Sequence, residues 1–180
     1  MLTDLKKQSF SIVIPSYNES ENILVLYKEI IECLKDYSYE VIFVNDASTD
    51  NSNQYFNLIA KDPLVRIIDQ KINSGQSACL YLGIKNANSN IIVTLDGDCQ
   101  NDPGDILKLL ELYIYNLHEN VHLIGGIRKK RKDTLIKIYS SIIANNIRSF
   151  ILNDNCQDTG CGLKIFTRDI FLKLPFFNGI

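Results

Sequence analysis

The sequence predicts an α/β protein: a doubly wound, mostly parallel sheet flanked by helices. Three observations carry that expectation. Strand signals and helical periodicities alternate along the chain. The run Ile91-Ile92-Val93-Thr94-Leu95 is apolar almost throughout, as suits a strand covered on both faces. Pro15-Ser16-Tyr17, Asn45-Asp46 and Asp96-Gly97-Asp98 each follow a strand directly. They fall at the carboxyl ends, where open α/β sheets bind ligands.

The elements follow in order. Phe10 to Ile14 reads as a strand ending at Pro15. Asn18 and Glu21 have the spacing of a capping box, and Ile23, Leu26, Tyr27, Ile30, Ile31 and Leu34 then recur on one helical face. Tyr39 to Val44 is a second strand, followed by the turn-rich stretch from Ala47 to Asn53 and a short helix to about Ala60. Val65 to Ile68 is a third strand, and a helix runs from Ser74-Gly75 to about Ala87. After the fourth strand, Pro103 marks the first turn of another helix, where its missing N–H is harmless. Val121 to Ile124 is a fifth strand, Thr134 to Leu152 a helix, Gly162 to Thr167 a sixth strand and Arg168 to Leu174 a last short helix.

The 180 residues suffice for one domain with a substantial core. Hydrophobic residues make up 46% and charged residues 22%, which excludes a disordered chain. A net charge of -2 argues against a nucleic-acid binder, which works by neutralising phosphates. The run from Arg128 to Lys132, five consecutive cations, is either a solvated loop or a contact for phosphate or an anionic membrane. Five cysteines, with no C-x-x-C and no signal-like start, make a reduced cytoplasmic protein the simplest account. No apolar run approaches the ~18 residues that read as a transmembrane helix.

Several site types are absent. There is no P-loop pattern, and the turn after the first strand holds no glycine, so a pyrophosphate has no close backbone approach there. The two histidines, His118 and His122, flank the turn Glu119-Asn120 and read as exposed loop residues, which disfavours a nucleophile triad. Carboxylates remain. Asp46 is either a turn or cap residue, or an acceptor for a base N–H or ribose hydroxyl. Asp96 and Asp98 repel one another unless a cation or water separates them. Hard oxygen donors so placed suit Mg²⁺ or Mn²⁺ holding a diphosphate, although a plain turn is also open.

Four segments in this order carry a resemblance: Ile14-Pro15-Ser16-Tyr17-Asn18-Glu19, Val44-Asn45-Asp46-Ala47-Ser48-Thr49-Asp50, Asn73-Ser74-Gly75-Gln76, and Leu95-Asp96-Gly97-Asp98-Cys99-Gln100-Asn101-Asp102-Pro103. They resemble the family 2 glycosyltransferases of GT-A fold. Asp158-Thr159-Gly160-Cys161-Gly162-Leu163-Lys164, and Arg128 ahead of Lys132-Asp133-Thr134 with Ser141 and Asn145 downstream, are similar to the dolichol-phosphate mannosyltransferase-like branch of polyprenyl-phosphate sugar transferases.

The resemblance implies a single GT-A domain over 1–180, truncated at its C-terminus. It implies inverting, metal-assisted transfer of a sugar from a GDP- or UDP-linked donor to a dolichyl or undecaprenyl phosphate. Pro15, Tyr17, Glu19, Val44, Asp46 and Gln76 would line the donor pocket, with Asp96 and Gly97. Asp96, Asp98 and Gln100 would hold Mg²⁺ or Mn²⁺. Arg128, Lys137 and Ser141 would meet the acceptor phosphate, and Asp98, Arg128 and Asp158 would serve the reaction. A peripheral seat on the cytoplasmic face of a membrane follows, with a homodimer left open. Asn45 stands where the family often has a further aspartate, which would soften base recognition. The alternatives are a truncated, inactive nucleotide-sugar-binding domain and a D-x-D phosphatase. Against the phosphatase, the motif follows the fourth strand and Gln100 stands where that class has Thr or Val.

Overall fold

The computed structural model describes residues 5–117, 121–127, 158 and 160–175. Among the described residues the elements are β1 (Ser9–Ser16), α1 (Ile23–Leu34), β2 (Ser38–Asn45), α2 (Ser52–Ile59), β3 (Val65–Asp69), α3 (Gln76–Lys85), β4 (Ile91–Thr94), α4 (Asp105–Asn116), β5 (Leu123–Gly125), β6 (Lys164–Thr167) and α5 (Arg168–Lys173). The expected helix from Thr134 to Leu152 lies outside the described residues.

One six-stranded sheet has the order β3-β2-β1-β4-β6-β5. The first four strands are mutually parallel. β6 runs antiparallel to both β4 and β5 and inserts between them. The sheet is therefore mixed, its parallel part formed by β1 to β4. Insertion of a later strand between earlier ones leaves no trace in hydrophobic periodicity, which reports faces and not neighbours.

Alternation along the strands sends side chains to two cores. Phe10, Ile12, Ile14, Val41, Phe43, Val93 and Ile165 pack against α1, α2 and α4. Val13, Ile42, Val44, Ile92 and Phe166 face α3 and α5. Gly83 sets the closeness of α3 to the sheet, since a Cβ there would overlap Val13 Cγ1 and stand 3.0 Å from Val44 Cγ2.

Pro15 does not end β1, which continues to Ser16. β2 pairs with β1 as far as Ser16, whereas β4 pairs with it only as far as Val13. At Pro15 the β4-facing side of β1 is thus free, and the missing N–H breaks no ladder. The capping box is also not formed. α1 begins at Ile23, and Asn22 is its N-terminal boundary without a side-chain cap. Asn18 instead takes a left-handed backbone, φ 56°, and its Oδ1 accepts from the N–H groups of Thr49 at 2.8 Å and Asp50 at 3.3 Å.

At the opposite edge of the sheet Glu40 gathers four donors. Ser11 Oγ, the Asn88 N–H, Asn88 Nδ2 and Arg66 Nη1 reach its carboxylate at 2.6, 2.6, 2.8 and 3.2 Å. Among the described residues no helix is long and apolar enough to cross a membrane.

Candidate active site

The carboxyl ends of β1, β2 and β4 open into a polar cavity of about 270 Å³, lined by Pro15, Ser16, Tyr17, Glu19, Asp46, Gln76, Cys79, Asp96, Gly97 and Asp98. Among the described residues the non-glycine left-handed backbones are Asn18, Ala47 and Cys99, one in the loop after each of these strands. Such conformations cost about 1–3 kcal/mol each and persist where surrounding contacts over-determine them.

The contacts are visible. Ser48 Oγ accepts from the Asn18 N–H at 3.0 Å, and Asp50 Oδ2 accepts from the Ser20 N–H at 3.1 Å. Burial opposes ionisation of Asp50, but hydrogen bonds from Ser52 and Ser20 prevail and hold its carboxyl below the usual value. Asn45 turns away from the cavity. Its amide donates to Asn53 Oδ1 and Asp69 Oδ1 at 2.9 and 2.8 Å, and its Oδ1 accepts from the Ser48 N–H at 3.0 Å. An aspartate there would set a second carboxylate against Asp69, so the asparagine serves the strand end and its loop.

Asp46, 4% exposed, spans from β2 to the loop ahead of α3. Its Oδ1 accepts from the Ser74 N–H at 2.7 Å and from Gln70 Nε2 at 3.1 Å, and its Oδ2 from the Gly75 N–H at 2.8 Å. Gly75 sits at φ 85°, ψ 164°, a region open essentially to glycine alone. The sequence choice for Asp46, local turn or ligand contact, thus misses its main bonds, which hold a loop 28 residues away. Beneath it Cys79 is buried, and Gln70 Nε2 also donates to its sulfur at 2.9 Å. Burial first, and then the Asp46 charge, push the Cys79 thiol up to about 12.

Asp96 Oδ1 accepts from Gln76 Nε2 at 2.8 Å, and Asp98 Oδ1 accepts from the Gln100 N–H at 3.0 Å. Among the described residues no three His, Cys, Asp or Glu side chains converge into a preformed cation cage. The two carboxylates nonetheless line one cavity, and their hard oxygen donors are of the kind that Mg²⁺ or Mn²⁺ takes.

A second cavity of about 310 Å³ adjoins the first. Leu80, Ile84, Leu95, Phe166, Phe171 and Leu174 make it largely apolar. Gln76 and Asp96 line both cavities, so their hydrogen bond stands between a polar and an apolar chamber.

Of the expected donor-pocket residues, Pro15, Tyr17, Glu19, Asp46, Gln76, Asp96 and Gly97 line the polar cavity together with Asp98. Val44 lines neither cavity: it is fully buried under α3, because β2 alternation turns it to that face. The side chain of Gln100 lies outside both linings. Asp158 is 6% exposed and also outside them. Arg128, Lys137 and Ser141 fall outside the described residues. The site residues named from sequence leave out Ser16 and Cys79 in the first cavity, and His122, Gly162 and Lys164 in the second. Ser16 stands in the strand-end cluster Pro15-Ser16-Tyr17, and Gly162 and Lys164 in the Asp158-to-Lys164 segment of the resemblance; no local signal flags Cys79 or His122.

Comparison with known proteins gives the family and the fold of the chain. The pattern of "Glycosyl transferase family 2" matches residues 11–174. A curated relative from Yersinia pestis (strain Pestoides F), named undecaprenyl-phosphate 4-deoxy-4-formamido-L-arabinose transferase, is 32% identical over 164 residues, 89% of this chain and 49% of the relative. Its namesake from Pectobacterium carotovorum subsp. carotovorum (strain PC1) is 30% identical over 174 residues, 94% of this chain and 51% of the relative. The chain thus spans about half the length of the curated relatives it matches. Glucosyl-3-phosphoglycerate synthase from Mycobacterium tuberculosis, solved with phosphoglyceric acid, superposes with a TM-score of 0.76 at 16% identity, over 97% of this chain and 64% of that one. Mannosyltransferase PcManGT from Pyrobaculum calidifontis, solved with GDP-Man and Mn²⁺, gives a TM-score of 0.65 at 19% identity, over 93% and 47%. These matches establish the GT-A architecture and leave the phosphatase alternative without support.

Proposed function

Because this chain belongs to glycosyl transferase family 2, we propose that it transfers a sugar from a nucleotide-diphosphate sugar to a polyprenyl phosphate, with inversion. One observation carries the reading furthest. A polar cavity bearing two carboxylates and an apolar cavity meet at the Gln76–Asp96 pair, so charged and apolar parts of reactants have adjoining places. The names of the curated relatives, which act on undecaprenyl phosphate, support the acceptor class.

Pro15, Tyr17, Glu19, Asp46 and Gln76 surround the nucleoside and sugar in this proposal. Asp96 and Asp98, together with Gln100, would hold a divalent cation. A cation at these carboxylates would supply charge neutralisation for the nucleoside diphosphate leaving group. An acceptor phosphate oxygen is already anionic near neutral pH and needs orientation more than a general base. Arg128, Lys137 and Ser141 are assigned that task from sequence alone, through charge-assisted hydrogen bonds. Asp158, at the start of the segment that brings Gly162 beside Asp96, is assigned a place near the reacting centre. Such an enzyme works at a membrane surface, where its lipid acceptor resides.

The test is direct. The whole chain is incubated with Mn²⁺, undecaprenyl phosphate in detergent, and radiolabelled UDP- or GDP-sugars. Label passing into the organic phase is the expected result. Asp98→Ala should abolish it while keeping the wild-type unfolding midpoint. Full transfer by that variant overturns the assignment of Asp98. Donor binding without transfer by any wild-type combination favours a nucleotide-sugar-binding domain.

A further inference from the structure

We infer that Gly162 is a positioning residue for Asp96, acting through the side chain it lacks. The inference rests on the reading of Asp96 as a donor-site carboxylate and goes beyond it.

Gly162 lies two residues ahead of β6, and its carbonyl accepts from Thr94 Oγ1 at 2.7 Å, which fixes this backbone to the end of β4. A Cβ built on Gly162 would overlap Oδ2, Cγ and Oδ1 of Asp96, each well inside the 3.0 Å that real contacts respect. The carboxylate occupies the volume that any other residue at 162 fills with its side chain. Backbone conformation does not demand glycine here, since among the described residues the glycine with positive φ is Gly75. The three atoms nearest to such a Cβ all belong to Asp96.

From this recess the Asp96 carboxylate takes the Gln76 hydrogen bond and borders both chambers. A methyl at 162 evicts it. Moving the carboxylate disturbs its hydrogen bond from Gln76 and its place in the lining that it shares with Asp98. The loop ahead of β6 thereby sets the position of a carboxylate whose rotation the D-x-D motif alone does not fix. Thr94 anchors the wall, Gly162 hollows it, and Gln76 closes it from α3.

The test is a double-mutant cycle with two readouts: thermal unfolding, and binding of Mn²⁺ alone followed by the electron paramagnetic resonance signal of the free aqua ion. Four whole-chain proteins are compared: wild type, Gly162→Ala, Asp96→Ala, and the double variant. Gly162→Ala should lower the midpoint and weaken Mn²⁺ binding tenfold or more. In the Asp96→Ala background the same substitution should change neither, because the clashing group is gone. If Gly162→Ala alone fails to fold, the double variant should recover folding, and its failure to do so overturns the inference. Equal effects of Gly162→Ala in both backgrounds overturn it as well. If Asp96→Ala leaves Mn²⁺ binding intact, the cation role of Asp96 falls, and the midpoints still decide whether Gly162 acts through Asp96.

Discussion

Replacing Asp46 by asparagine preserves its shape and removes its charge, and the structure gives the cost. Three donors converge on the carboxylate: the Ser74 and Gly75 N–H groups and Gln70 Nε2. An asparagine amide has one acceptor oxygen and one NH₂. With its oxygen in the Oδ1 place, the NH₂ faces the Gly75 N–H, and one donor is stranded. In the flipped orientation two donors are stranded. A buried donor left without a partner costs about 1–3 kcal/mol, and hydrogen bonds to a neutral acceptor are weaker by about 1 kcal/mol than those to a charged one. Asp46→Asn should therefore destabilise the protein by about 2–4 kcal/mol. The consequence reaches the site, because Gly75 precedes Gln76 and the loop carries the Gln76–Asp96 bond. Urea unfolding at pH 7, with midpoints compared at constant slope, measures the stability loss. Under the proposed function, the thermal shifts that UDP and GDP produce should shrink in the same variant. A destabilisation below about 0.5 kcal/mol at unchanged slope, within the scatter of neutral surface substitutions, would refute the reasoning.

Two further outcomes follow from titrating groups. Burial raises the Glu40 carboxyl, but hydrogen bonds from Ser11, Asn88 and Arg66 outweigh it and leave the value below the ordinary one. A lowered carboxyl stabilises the fold above the ordinary glutamate range, and that contribution is lost as pH falls through the folded-state value. Glu40→Gln should therefore cost about 1–3 kcal/mol at pH 7 and progressively less as pH falls below the ordinary range, measured by urea unfolding across pH. An unchanged gap at pH 7 and pH 3 contradicts the account. Cys79, buried and with its thiol held up at about 12, should resist iodoacetamide at pH 8.5 in the native protein and react once unfolded. Mass spectrometry of the alkylated peptides reads this, and equal labelling in both states rejects it.

Most elements were legible because their signals are local. The helical face from Ile23 to Leu34 and the apolar run from Ile91 need only periodicity, and the structure puts α1 and β4 there. That Pro15, Asp46 and Asp96-Gly97-Asp98 come to line one cavity was legible because each follows a strand end on the same side of a parallel sheet. Asn18 was misread because a capping pattern counts spacing only, while the real partners of its side chain, Thr49 and Asp50, lie about thirty residues on.

The sequence by itself determined the α/β class, the three strand-end clusters and the kinship that the family match confirms. These depend on residue type and spacing along the chain, which folding does not alter. Tertiary structure alone decided that β6 enters antiparallel between β4 and β5, that Asp46 fastens the Ser74-Gly75 loop, and that Val44 faces α3 instead of the cavity. It also decided that Gly162, 66 positions beyond Asp96 in the numbering, yields its side-chain volume to that carboxylate. Contacts of this kind form between segments distant in the chain, and nothing in local periodicity encodes which residue will lie opposite another once the sheet has closed.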